Sequence, residues 1–174
     1  FADTKGDFVT TQNIRGSIAT RQYTQDILSG RATSQISNPA ISISTQNKIF
    51  VAASVVKSKE GKIIGLAGAS VQLKTISDIA AGVTLGKTGY GFILDSTGMF
   101  VAHQNQDLVL KTTVQDLAKA GYKGTEEAWA KISREKQGTV EITNPNGKGE
   151  TLVYVPIPNS PGWVLGVSVP TAEL

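Results

Sequence analysis

Side chains able to make or break bonds are scarce in this sequence. Its 174 residues contain one imidazole, His103, and no cysteine. That excludes zinc centres, thiol catalysis and disulfide frameworks together, since each needs Cys or clustered His. No serine lies in a G-x-S-x-G elbow, so a hydrolase would have to be built around His103 alone. Gly86-Lys87-Thr88 lacks the upstream glycine of a phosphate-binding loop. Asp3 and Asp95 occupy turn sequences without the spaced oxygen ligands that calcium needs, and they read as turn formers. What remains is recognition chemistry. Arg21 is the sharpest candidate, because its planar guanidinium fork suits a carboxylate bidentately. Its competing role is a surface ion pair with Asp26. Tyr23 either walls a pocket and lends its hydroxyl, or fills an amphipathic core. His103 follows Phe100-Val101-Ala102 and reads as a hydrogen-bonded structural histidine ahead of a pH-responsive one. Tyr90, Phe92, Tyr154 and Trp163 fall at strand positions and read as core packing.

The elements that must position these residues are modest in size. The chain is 40% hydrophobic, enough for a core. No apolar run approaches the roughly 20 residues that span a bilayer. The sequence opens on Phe1 without a signal peptide, so it is expected to be a piece of something longer. Lys and Arg number 17 against 14 Asp and Glu, a net charge of +3. The charges are mixed, as in Lys131-Ile132-Ser133-Arg134-Glu135-Lys136, which describes a solvated face rather than a nucleic-acid stripe.

An internal repeat sets the domain count. Asp3-Thr4-Lys5-Gly6-Asp7-Phe8-Val9 returns as Asp95-Ser96-Thr97-Gly98-Met99-Phe100-Val101, both D-x-x-G-x-F-V. Gly61-Lys62-Ile63-Ile64-Gly65-Leu66 returns as Gly162-Trp163-Val164-Leu165-Gly166-Val167. Two ordered echoes predict two copies of a small α+β module, residues 1–81 and 82–174. In the first, strand 8–14, helix 18–29 and short extended pieces over 33–44 precede a hairpin of strands 47–57 and 62–72. A short helix over 75–81 ends it. The second holds strands 91–94 and 99–103, helices 114–120 and 126–136, and strands 138–143, 151–157 and 163–169. Both hairpin strands are apolar or small on both alternating faces, whereas a sheet with one wet face alternates cleanly. Both faces are therefore expected to be covered. Helix 18–29 can cover one, and the other calls for a helix preceding Phe1 or a partner.

Arg21-Gln22-Tyr23, Gly30, Ser37-Asn38-Pro39, Ser44-Thr45 and the Gly61 and Gly65 hairpin form an ordered series. It resembles the first module of a double Cache sensor domain, the extracytoplasmic part of bacterial and archaeal chemoreceptors (methyl-accepting chemotaxis proteins) and sensor histidine kinases. The second half is similar to the family's membrane-proximal module. Its cues are Gly86-Lys87-Thr88-Gly89-Tyr90-Gly91-Phe92-Ile93-Leu94-Asp95, Gly98, Val101-Ala102-His103, Tyr154-Val155-Pro156-Ile157 and Val169-Pro170-Thr171-Ala172-Glu173-Leu174. The resemblance covers nearly the whole chain. It implies an α+β fold of two tandem PAS-like (Cache) modules, each an antiparallel sheet flanked by helices. They would be stacked along a long N-terminal helix missing here.

The resemblance also implies function. The distal module would hold a small ligand, and the proximal one would pass the signal to a transmembrane helix starting near Pro170. Arg21 would grip a ligand carboxylate, and Tyr23 stands where amino-acid sensors often have Trp. Ser42 and Ser70 stand where amino-acid-binding members carry the two Asp that hold the ligand's ammonium. Desolvating an unpaired cation costs several kcal/mol, which hydroxyls do not offset. The implied ligand is a carboxylate or small polar metabolite, with an amino acid disfavoured. The implied protein is not an enzyme, takes no cofactor, metal or nucleic acid, and is a homodimer in the full receptor. It would be periplasmic or extracellular, meeting the membrane only through helices outside this chain. A histidine-kinase output is the alternative, and a secreted or surface protein-interaction module is the alternative of another class, motivated by the uncovered sheet face.

Overall fold

The computed structural model describes residues 1–135 and 137–174. They divide into two compact units, Phe1–Gln72 with Asn159–Pro161, and Leu73–Pro158 with Gly162–Leu174.

The first unit begins with a hairpin of strands β1 (Ala2–Asp3) and β2 (Asp7–Val9), and β3 (Arg15–Ser17) pairs with β2. Helix α1 (Gln22–Leu28) follows, then β4 (Ser34–Ile36), β5 (Ala40–Ile41) and the long hairpin β6 (Lys48–Lys57) and β7 (Ile63–Gln72). These form one sheet in the order β3-β2-β1-β7-β6-β4, with β5 on β6. The helix starts later than its apolar pattern suggests. Beyond β3 the Ile18 amide still donates to the Gly6 carbonyl at 2.8 Å, and Arg21 is extended at φ −74°, ψ 131°.

Register assigns the faces of this sheet. Directly opposed residues of an antiparallel pair point to one side. Val51, Ala53 and Val55 oppose Ser70, Gly68 and Leu66, and this side packs against Tyr23 and Ile27 of α1. On the other side Ala52 and Ser54 oppose Ala69 and Ala67, and all four are exposed. Expected cover is thus present on the α1 side, while the small-residue side stands open.

The second unit holds α2 (Leu73–Ala81), β8 (Tyr90–Leu94), β9 (Phe100–Ala102), α3 (Thr125–Glu135), β10 (Gly138–Thr143), β11 (Gly149–Pro156) and β12 (Val164–Pro170). Short 3-10 turns occupy Gln115–Ala120 and Thr171–Glu173. The sheet order is β10-β11-β12-β8-β9. Its core is Phe92, Leu94, Phe100, Val140, Ile142, Leu152, Tyr154 and Val164 under Ala128 and Ile132 of α3.

The repeat is carried by geometry. In β1–β2 and β8–β9 alike, the turn glycine (Gly6 φ 84°, Gly98 φ 85°) donates its N–H to the turn aspartate's carbonyl, at 3.0 and 3.1 Å. The Asp3 carboxylate accepts the amides of Lys5 and Asp7, and that of Asp95 accepts those of Thr97 and Met99. Both aspartates are turn formers. Strand order β2-β1-β7-β6-β4 is matched by β9-β8-β12-β11-β10. The dividing point differs from the expected one. It falls after Gln72 instead of after residue 81, because α2 buries Leu73, Ser77 and Ala80 and packs on β8 and β9. A helix belongs with the sheet that buries its apolar stripe, not with the strand it continues.

Candidate ligand-binding site

Arg21 stands at the entry to α1, half-buried, with no capping bond from its side chain. Among the described residues its guanidinium has no ion pair. Asp26, the acid that could have neutralised it, accepts Arg31 at 2.7 Å and Gln22 at 2.9 Å instead. These two contacts hold the Asp26 carboxyl below the usual carboxylate range. Arg21 therefore keeps an unspent positive charge, and Gln22, Asp26 and Arg31 form a polar flank that sequence reasoning had only glimpsed in Asp26.

Tyr23 is 7% exposed and packs in the α1-side core. Burial raises its phenol, while the neighbouring Thr24 hydroxyl and the Arg21 charge pull it the other way. Ser70 is exposed on β7 and opposes Val51, which joins the Tyr23 cluster, so Ser70 shares this sheet face. Arg21, Tyr23 and Ser70 thus lie on the α1 side of one sheet.

Ser42 is differently placed. It is buried in the turn that follows β5, where its hydroxyl contacts the Ser44 hydroxyl at 3.1 Å and accepts the Thr45 amide at 3.2 Å. Its hydroxyl is engaged locally, and Ile41 and Ile43 on either side are about half exposed, at 49% and 50%. Ser37 is likewise structural: its hydroxyl accepts the Val51 amide and donates to the Asn38 carbonyl.

A depression of about 490 Å³ lies over the opposite, open face, lined by Ser34, Ile36, Ala52, Ser54, Ala67 and Ala69 among others. None of the four candidate residues lines it. Its floor carries no charged group, so it offers shape rather than anchoring chemistry.

In the second unit His103 is 6% exposed, its Nδ1 accepting the Asn105 amide at 2.9 Å. Its ring meets those of Tyr90 and Phe100 edge-on, each at 5.1 Å. Burial lowers its pKa, so it is a neutral structural imidazole. Phe92, Tyr154 and Trp163 are core, whereas Tyr90 is only half-buried. No group of three acidic or imidazole side chains among the described residues could hold a metal ion. No described helix is long and apolar enough to cross a membrane.

A family model described as "Cache domain" matches residues 1–174. The chain is 26% identical over 123 residues to methyl-accepting chemotaxis protein McpA of Pseudomonas putida KT2440, covering 70% of this chain and 17% of that protein. Its fold resembles the ligand-binding domain of Pseudomonas fluorescens chemoreceptor CtaA in complex with L-leucine (TM-score 0.74, 21% identity, 99% of this chain and 69% of that one). It also resembles the extracellular domain of the putative histidine kinase mmHK1S-Z3 (TM-score 0.69, 20% identity, 92% and 58%). The chain thus spans under a fifth of the curated McpA relative's length.

Proposed function

The chain belongs to the Cache domain family, and on that premise we propose that it is the extracytoplasmic ligand-sensing domain of a transmembrane chemoreceptor. Cache domains are non-catalytic ligand-binding modules of chemoreceptors and histidine kinases. The first unit is the membrane-distal, ligand-binding module, and the second is the membrane-proximal module leading to the outgoing helix. The ligand is a small carboxylate or neutral polar metabolite, and the full receptor is a homodimer.

One observation carries the ligand class. Arg21 is a half-buried cation without an ion pair among the described residues, while Ser42 and Ser70 offer no carboxylate to an ammonium group. A carboxylate supplies what Arg21 lacks; an α-amino group finds no counter-charge. The CtaA domain is in complex with L-leucine, whereas Ser42 and Ser70 of this chain stand where the resemblance implies the two Asp of amino-acid-binding members. Signalling requires the ligand to bind two states of the domain unequally, with a coupling of about 1–3 kcal/mol. Closure of the 40–47 segment over Arg21 and Ser70 would provide the inequality. A histidine-kinase output is the second reading, supported by the fold shared with the mmHK1S-Z3 extracellular domain.

Arg21→Ala tests the assignment. A carboxylate hit from a metabolite thermal-shift screen is expected to raise the melting point of the parent chain and to leave that of the variant unmoved. The unliganded melting point should barely change, because the guanidinium forms no ion pair and no capping bond among the described residues. Stabilisation that survives the substitution removes Arg21 from the site.

A further inference from the structure

In the second unit a polar cluster sits at one end of the apolar face that α3 covers. Ser168 of β12 opposes Leu152 of β11 and Tyr90 of β8, so all three share that face, as does Glu150 two residues before Leu152. The Ser168 hydroxyl donates to Glu150 Oε2 at 2.8 Å, and Asn144 Nδ2 donates to Oε1 at 3.0 Å. Asn144 is itself fixed, its Oδ1 accepting the amides of Asn146 and Lys148 in the β10–β11 turn. A bridge between Lys123 and Thr143 brings Tyr122 alongside Asn144, and Tyr122 packs with Tyr90 against the core.

Two features of this cluster are unspent. Glu150 is half-buried, yet no Lys or Arg among the described residues forms an ion pair with it. Each carboxylate oxygen accepts one protein hydrogen bond and keeps a free lone pair. Burial and then the Glu150 charge raise the phenols of Tyr90, to about 12, and Tyr122, while the Ser168 hydroxyl beside the Tyr90 phenol pulls it the other way. The nearby His103 ring is neutral and adds no counter-charge. A carboxylate fixed by two donors, flanked by two tyrosines and lacking an ion-paired cation among the described residues, is complementary to one kind of guest.

We propose that Tyr90, Tyr122, Glu150 and Ser168 form a second ligand site, in the second unit, that takes a small organic ammonium ion. The ammonium pairs with Glu150 and with the phenol oxygens, and its carbon substituents rest on the tyrosine faces, where the ring quadrupole attracts the cation. The site's charge is opposite to that at Arg21, so the two units would report different metabolites. The proposal does not depend on Arg21.

The test is amide NMR of the 174-residue chain titrated with ethylammonium and with tetramethylammonium. Saturable shifts at Tyr90, Tyr122 and Ser168 are expected with at least one probe. They should vanish in Glu150→Gln and weaken several-fold in Tyr122→Phe, and persist in Arg21→Ala. Tyr122→Phe leaves both donors on Glu150, so it decides the matter if Glu150→Gln fails to fold. No saturable shift at these amides, unchanged affinity in Tyr122→Phe, or loss of binding in Arg21→Ala would each overturn the proposal.

Discussion

At the scale of single residues, both proposed sites rest on a half-buried charge that lacks an ion pair among the described residues. Arg21 and Glu150 are both half-buried and both without an ion pair among the described residues, whereas Asp26 and Asp116 are spent on neighbours. The Lys119 ammonium and Thr113 hydroxyl hold Asp116 down at about 2, which fits a turn-locking role. His103 gives the clearest pH dependence. Its folded pKa is lowered below 6.5 by burial, so its neutral form contributes stability that is complete above that value. As pH falls, the unfolded chain protonates first, and the stability is lost through the folded pKa. The melting point is expected to drop from pH ~7 to ~5, the window where only imidazole normally titrates. His103→Asn keeps an acceptor for the Asn105 amide and should flatten that slope. An unchanged slope would assign the dependence to carboxylates instead.

At the scale of elements, the last turn is tied back to the start of its own unit. The Glu173 carboxylate accepts the amides of Lys87 and Thr88, at 2.6 and 3.1 Å, and the Thr88 hydroxyl at 2.7 Å. Gly86 permits the approach: it has φ +67°, and a Cβ there would press on Glu173. The Thr88 hydroxyl, the backbone amides and Lys87 lower the Glu173 pKa below 4.5, so the tie holds above that value and is released as pH falls through the folded pKa. Glu173→Gln is expected to speed amide exchange at Lys87 and Thr88 several-fold while leaving β11 and β12 protected. Equal protection in variant and parent would mean the turn is held by other contacts, such as Thr171 with Thr151. The same scale shows why element ends resist reading from sequence. Helix α1 loses its first turn because the Ile18 amide is tied to the Gly6 carbonyl and the chain turns from Ile18 to Arg21, a contact between segments that local pattern does not report.

At the scale of the whole molecule, each unit has a core of its own. Ala2, Tyr23, Ile27, Ala53 and Leu66 make one, and the cluster around Phe92, Ile132 and Tyr154 makes the other. Ile132 is fully buried, and Ile132→Ala should cost about 2–5 kcal/mol, read as a lower denaturant midpoint with lost amide protection in β10–β12. A loss under ~1 kcal/mol would mean that α3 does not hold that core together. The repeat and the two α+β modules were legible in turn chemistry and apolar period, because Asp-x-x-Gly hairpins and period-two strands are local consequences of backbone sterics, and the sensor family was legible as a resemblance in the order of its motifs. Arg21, Tyr23, Ser42 and Ser70 were legible only as types and spacings. Pairing and burial were not. That Asp26 spends itself on Arg31, that Ser42 bonds within its own turn, that α2 joins the second sheet, and that Tyr90, Glu150 and Ser168 converge across three strands all depend on register and packing between distant segments. Sequence alone determined which charges this protein carries and which elements bear them. Only the tertiary structure decided which charges are neutralised, because a hydrogen bond or ion pair is a distance between folded neighbours and not a property of either residue.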